Sequence, residues 1–309
     1  MASFTTNVAT TNTNQQKLIR TDVWGSLIQE ELQEELMAQS VVNFITGEFP
    51  DGDKLHIPTL ASLTARDYTE SSQITFDDPV VSELTLTIDK YKQSGVAVTD
   101  KMKEDAFYME VLNSKFPQQC VRALMEQLET DIWYLHKDQT NNDPNTINGV
   151  AHRFVASGSG SVITLDDVYK AKLALDRANV SKAGRKAIVS PKQSYTLLGI
   201  DNVIRQDVYG ANSHIAQGFG STSYLGMFGG FEFYESNMLD EATALDHESG
   251  GSLTACMFLG PEAFIGAVRS QPDIEQSRDW QYKRDVFHVT TRYGLKTYRP
   301  ESVVTVLCA

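Results

Sequence analysis

Apolar residues recur at helical spacing most clearly between Thr99 and Thr140, where the pattern predicts a short helix running into a long one. The long piece opens at Pro117, whose fixed φ and missing N–H suit a first helical position. Val121, Leu124, Met125, Leu128, Ile132 and Leu135 then form one apolar stripe, while Arg122, Glu126, Glu129 and Lys137 fall on other faces. From Pro117 to Asp138 such a helix is about 33 Å long, enough to serve as a spine. An earlier stripe of Ile28, Leu32 and Leu36 predicts a helix over Trp24 to Ile45, with Ser26 as N-cap. Glu30, Glu31, Glu34 and Glu35 favour its N-terminal half through the macrodipole. Upstream, Met1 to Gln16 is rich in Thr, Asn and Gln and reads as a draped arm.

Between these helices the period changes to two. Lys54 to Leu60 alternates as a strand with Leu55 and Ile57 on one side, and Pro58 limits it to an edge. Leu84, Leu86 and Ile88 alternate with Thr85, Thr87 and Asp89 as a half-exposed strand. The connection from Ala61 to Ser82 is polar, and a span of roughly 20 such residues inside a domain points to function. Gly47 to Val98 therefore reads as a long two-stranded arm leaving the body. A lone hairpin is marginal in water, so the arm is expected to rest on a neighbouring subunit.

After the spine come a turn-rich loop at Asn141 to Asn148 and a flexible Gly/Ser tract at Ser157 to Ser161. Thr164 to Asn179 reads as a helix capped by Thr164 with Asp167 three residues on. Ala187 to Val189 is a short buried strand, and Ser190 and Pro191 open a helix through Leu198 that Gly199 stops. Gly210 to Gly230 is glycine-rich and expected to be mobile. Phe231 to Tyr234 is a strand, Asp240 to Gly251 an acidic surface loop, and Leu253 to Leu259 a buried strand. Val286 to Tyr293 and Ser302 to Leu307 alternate as two long strands, expected to pair with each other. The sum is an α+β chain without internal repeats.

Charge narrows the function. The net charge is -13, which gives no electrostatic footprint for DNA or an anionic membrane. No run approaches the roughly 18 apolar residues of a membrane-spanning helix, and no basic-then-apolar signal segment opens the chain. Cys120, Cys256 and Cys308 are far apart in sequence and odd in number, which fits a reducing cytosol and offers neither a disulfide framework nor metal-ligand spacing.

Candidate chemistry is sparse. Gly218-Phe-Gly220-Ser-Thr-Ser223 resembles the start of a dinucleotide fingerprint, yet Ser223 replaces the last glycine and no strand leads into it. The six histidines form no zinc motif. No Gly-x-Ser-x-Gly elbow appears. Glu30 and Glu34 read as a solvated face, and Cys120, in the first turn of the expected spine helix, reads as a packed thiol. No catalytic residue, metal ligand or cofactor site is assigned.

The order of features resembles the major capsid proteins of tailed bacteriophages, the Johnson or Hong Kong phage capsid fold. Trp24-Gly-Ser-Leu-Ile-Gln-Glu-Glu-Leu and Asp53-Lys-Leu-His-Ile-Pro resemble the family's arm helix and the entry to its extended loop. Leu63-Thr-Ala-Arg-Asp-Tyr-Thr and Leu84-Thr-Leu-Thr-Ile-Asp-Lys resemble the loop tip and return strand, and the spine helix follows in its place. Ile188-Val-Ser-Pro-Lys-Gln-Ser-Tyr-Thr-Leu-Leu resembles the axial strand and helix, and Gly230-Phe-Glu-Phe-Tyr-Glu-Ser-Asn-Met-Leu the strand after it. Tyr293-Gly-Leu-Lys-Thr-Tyr-Arg-Pro-Glu-Ser-Val-Val is the most specific match.

The resemblance implies an N-terminal arm and helix (1–46), an extended loop (47–98), a peripheral domain with the spine helix (99–145 and 260–309) and an axial domain (146–259). It implies a shell of pentamers and hexamers around double-stranded DNA, assembled in the host bacterial cytoplasm, with portal, separate scaffolding and decoration proteins as partners. The 210–230 segment would lie near the capsomer centre. Arg66, Asp67 and Tyr68 at the loop tip would touch a facing subunit. Lys54, Lys90 and Lys92 lie near the loop root, so lysine cross-linking is not carried over. Two other readings stand beside it: an encapsulin-type nanocompartment shell, and a soluble α/β enzyme.

Overall fold

The computed structural model describes residues 36–48, 52–60, 65–67, 69–70, 73, 76, 81–105, 109–138, 145–199, 224–239, 241–242 and 253–309. In chain order these form β1 (Val42–Phe44), β2 (Lys54–Leu60), β3 (Val81–Thr87), β4 (Lys90–Thr99), α1 (Asp100–Asp105) and α2 (Met109–Trp133). Then follow β5 (Thr146–Ile147), β6 (Val150–Ala151), β7 (Arg153–Val155), α3 (Leu165–Arg177), β8 (Lys186–Val189) and α4 (Pro191–Leu198). The last group is β9 (Tyr224–Phe228), β10 (Phe231–Glu235), β11 (Glu241–Ala242), β12 (Leu253–Leu259), β13 (Phe264–Asp279), β14 (Arg284–Thr297) and β15 (Val303–Cys308). Among the described residues, one compact unit holds 91–128 and 270–292, and a second holds 36–90, 129–269 and 293–309.

The second unit is built on a mixed sheet in the order β7-β15-β12-β8-β10-β9, with β11 added beside β12. β12 and β15 are apolar almost throughout because they are central strands buried along their length. Helix α3 lays Val168, Ala171, Ala174 and Leu175 onto this sheet, and the two alanines let it approach closely. Phe231, Phe233 and Phe258 pack edge to face beneath it, with Phe258 5.1 Å from Phe231 and 6.0 Å from Phe233. The Thr164 amide donates to the Asp167 carboxylate at 2.9 Å, so the expected cap is present. Ser190 and Gly199 flank α4, with Pro191 at its first position. Buried Gln193 receives the Ile163 amide at 3.0 Å and donates to the Ala309 carbonyl at 2.8 Å, fastening the end of the last strand.

β13, β14 and β4 form a second sheet with β1 at its edge, in the order β1-β13-β14-β4. Several expectations change here. The strands at Val286 to Tyr293 and Ser302 to Leu307 exist within β14 and β15 but do not pair: β14 lies between β13 and β4, and β15 between β7 and β12. The last ten residues of the expected Trp24–Ile45 helix are instead a 3₁₀ turn, Ala38–Val41, followed by β1. Val41, Val42, Phe44 and Ile45 are β-branched or aromatic, and β1 pairs in parallel with Phe264 to Gly266. The part of that helix before residue 36 lies outside the described residues, as do 210–223 of the glycine-rich segment and most of 61–80.

The spine is also redrawn. α2 starts at Met109, so Pro117 sits inside it, and it gives way at Tyr134 to a 3₁₀ turn ending at Asp138. Cys120 is then far from the first turn and buried, which leaves it no helix terminus to stabilise a thiolate. The stripe itself holds, with Leu124, Leu128, Ile132 and Leu135 buried. Glu129, expected on a polar face, is 1% exposed. Asp131 is buried too, accepting from Tyr293 Oη at 2.6 Å and pairing with Lys90 Nζ at 3.2 Å. Burial, then the bond to Asp131, pushes the Tyr293 phenol up. Cys256 and Cys308, distant in sequence, are brought onto neighbouring strands as free, buried thiols.

Two turns read as loops or glycine tracts are tight hairpins. Asn148 and Gly149 (φ 50° and 76°) join β5 to β6, and Gly229 and Gly230 (φ 59° and 89°) join β9 to β10. Both central residues of such a turn need positive φ, which Asn and Gly supply cheaply. The Ser157 to Ser161 tract is likewise a hydrogen-bonded turn, the Gly158 amide donating to the Val162 carbonyl at 3.1 Å.

Leu128→Asp is expected to abolish folding. It removes a buried apolar side chain, a loss of about 2–5 kcal/mol for truncation alone, and buries an unpaired carboxylate in its place. Those terms consume most of a typical margin of about 5–15 kcal/mol. Thermal circular dichroism should show no cooperative transition. A mutant melting within a few degrees of wild type would show that the stripe is not core.

Candidate assembly surfaces

β2 and β3 pair along their whole length, from Lys54 opposite Thr87 to Leu60 opposite Val81. The base of this ribbon is anchored. Leu55, Ile57, Leu84, Leu86 and Ile88 pack with Ile45, Ile265, Ala267 and Tyr298, and Lys296 Nζ donates to the Thr85 carbonyl at 2.9 Å. Pro58 lacks a donor and stands opposite Glu83 on a ladder that has no third strand among the described residues. On the solvent face His56 Nδ1 lies 3.3 Å from Glu83 and 3.2 Å from Thr85 Oγ1.

The far end is different. Leu60 is 76% exposed and Val81, directly opposite, 61%; Phe76, in the connection beyond them, is 85% exposed. Arg66 and Asp67 are exposed as expected for a tip, and Tyr68 lies outside the described residues. The structure thus locates two of the three expected contact residues, both exposed in the connection. It adds an apolar end to the ribbon that the reading of polar tip residues passed over. The signal was present as Leu60 and Val81, apolar bookends to a polar run.

A second surface lies where β13 turns into β14. Arg278 forks onto Asp100, with Nη1 to Oδ1 at 2.7 Å and Nη2 to Oδ2 at 2.6 Å, and Nη1 also reaches Asp285 at 2.9 Å. Lys103 Nζ donates to the other Asp285 oxygen. The Asp100 amide donates to the Lys283 carbonyl at 3.1 Å, so α1 and the turn are tied by backbone as well. Beside this network Trp280 is 77% exposed, and the Arg284 guanidinium sits 4.7 Å over the Tyr282 ring. Hydrogen bonds from Arg278 hold the Asp100 carboxyl below its ordinary value, and bonds from Lys103 and then Arg278 do the same for Asp285. The sequence near Asp100 does not signal its fork, because Arg278 lies 178 residues away.

Among the described residues no cluster of three or more metal-ligating side chains occurs, and no helix is long and apolar enough to cross a membrane. Glu30 and Glu34, like the Gly218 to Ser223 run, lie outside the described residues.

The network sets a pH dependence. Both carboxyls are depressed below 3.8 in the folded chain, so their contribution is fully present above about pH 4 and is lost as pH falls through the lower folded values. Arg278→Gln should return the Asp100 titration toward 3.8 and speed amide exchange across 278–285, with the rest of the chain unchanged. An Asp100 titration that does not move in the mutant would refute the network.

Comparison with known proteins agrees with this architecture. A family model described as phage capsid protein matches residues 82–306. Among curated proteins nothing matches. The capsid structure of the cyanophage P-SCSP1u shares the fold with a TM-score of 0.74 at 16% identity, covering 100% of this chain and 99% of that one. A chain of Mycobacterium phage Che8 follows at 0.69 and 19% identity, covering 93% and 96%, and the cyanophage Pam1 capsid asymmetric unit at 0.69 and 14%, covering 100% and 99%. With an α+β fold common to phage capsid structures and a family match over most of its length, the chain belongs to the phage capsid protein family and is a capsid shell protein.

Proposed function

We propose that copies of this chain associate as pentamers and hexamers of an icosahedral shell enclosing double-stranded DNA, with the β2–β3 ribbon reaching onto a neighbouring copy. The observation that carries this reading is the ribbon itself, anchored by apolar packing at its base and ending in exposed Leu60, Val81 and Phe76. An exposed apolar end on an anchored ribbon calls for a partner surface, and in a shell that surface is a second copy. Arg66, Asp67 and Tyr68 lie in the same connection: Arg66 supplies a fork for a carboxylate and Tyr68 apolar area with a polar tip.

In this reading residues 1–46 are the N-terminal arm, 47–98 the extended loop, 99–145 with 260–309 the peripheral domain, and 146–259 the axial domain. The role is structural and not enzymatic. A net charge of -13 keeps the inner wall from gripping a polyanion, which lets DNA move in and out. Portal, separate scaffolding and decoration proteins complete the particle, and assembly takes place in the host bacterial cytoplasm. The nanocompartment and enzyme readings have no observation of their own to favour them.

Deleting Thr64 to Val80 and closing the ends with a short turn should leave the melting transition nearly unchanged, because none of the core side chains named above is removed. Closed particles should disappear, leaving monomers or loose capsomers by sedimentation and microscopy. Normal particles from the deletion would refute the ribbon's role, and an unfolded product would assign the stretch to the core.

A further inference from the structure

Glu129 is a buried carboxylate on the last turns of α2, and it spends its acceptors far away in sequence. The Met37 amide donates to both of its oxygens, Oε1 at 3.0 Å and Oε2 at 2.9 Å, and the Ala38 amide donates to Oε2 at 3.1 Å. Ala38 is 0% exposed and begins the 3₁₀ turn Ala38–Val41. An ionised carboxylate taken out of water is costly unless donors replace the water, and two consecutive backbone amides do so here. No local pattern requires this: an apolar residue would continue the α2 stripe equally well.

The segment that follows is held by other means. Lys186 Nζ donates to the Ser40 carbonyl at 2.9 Å, and β1 pairs with Phe264 to Gly266. The Ile45 amide reaches the Gly266 carbonyl at 2.9 Å, and Thr46 Oγ1 receives the Val268 amide at 3.2 Å. A side chain at Gly266 would meet Phe44 at 3.0 Å and Val42 at 3.1 Å, so the strap lies close against β13. Residues 40–46 therefore keep their place without Glu129. What the carboxylate fixes in addition is the pair Met37 and Ala38, the point where the chain arrives from residues 1–35.

We infer that Glu129 is a positioning residue for assembly, fixing Met37 and Ala38, the junction with the N-terminal segment that the shell reading uses as an arm. The inference rests on the shell reading. Its chemistry is a carboxylate receiving two amides, which a neutral amide side chain reproduces in part and a methyl group does not.

The test compares wild type, Glu129→Gln and Glu129→Ala as full-length chains, by site-resolved hydrogen exchange and by particle yield. In Glu129→Ala, exchange at Met37 and Ala38 should rise at least tenfold while β12 and β15 amides keep their protection, and closed-particle yield should fall at least tenfold. Glu129→Gln should lie between, since it keeps one carbonyl acceptor. Unchanged exchange at Met37 and Ala38 overturns the inference, as does wild-type yield once those amides are released. Lost protection in β12 and β15 in both variants would make Glu129 a fold residue only and overturns it as well. A wild-type chain that forms no particles overturns the shell reading instead, and unaltered amide exchange in Glu129→Ala would then overturn the strap separately.

Discussion

A two-stranded ribbon in water exposes both of its faces and holds too little apolar surface to fix its own shape. This chain has such a ribbon in β2–β3. The distal part of β13, where Arg269 to Arg278 is exposed almost throughout, is similarly short of cover, with only β14 beside it among the described residues. Both are held by groups outside their own pairing. β2–β3 relies on Leu55, Ile57, Leu84 and Leu86 packing at its base. The β13–β14 turn relies on charged groups, with Arg278 and Lys103 bridging Asp100 and Asp285. Both end in exposed large side chains, Leu60 and Val81 on one and Trp280 and Tyr282 on the other. In a lone soluble protein such ends are a liability, and the proposed shell gives them a surface to cover them.

The second unit is closed by a few long-range polar contacts set in apolar surroundings. Glu129 receives the Met37 and Ala38 amides, Asp131 receives Tyr293, and Gln193 spans Ile163 and Ala309. Each joins segments far apart in the chain, and each is satisfied, so none carries the cost of an orphaned buried group. Hydrophobic burial between α3 and the sheet provides the bulk of the driving force, and these contacts restrict which arrangement of the segments it can settle into.

Periodicity in the sequence was a good guide wherever one face of an element is buried. β2, α3 and α4 fall where their patterns place them, because alternation or a helical stripe records a single covered face, and β12 was readable instead as a continuous apolar run. β13 was missed for the converse reason. Its distal half, Arg269 onward, is exposed on both faces and includes Pro272, so no period of two is written there. Pairing was equally hidden: Val286 to Tyr293 and Ser302 to Leu307 both alternate, but alternation does not say which neighbour a strand takes. Among candidate contact residues, Arg66 and Asp67 were readable as an exposed polar tip. Leu60 and Val81, the apolar ends of that polar run, were passed over, and Arg278 was hidden because its partner Asp100 lies 178 residues away.

The central claim is that this chain closes shells by itself contacting itself, and particle size tests it most directly. Full-length protein, purified after expression, can be examined by sedimentation and negative-stain microscopy across a range of concentrations. The account predicts capsomer-sized oligomers converting to closed, uniform particles as concentration rises. A single small oligomer that neither grows nor closes at any concentration would contradict it.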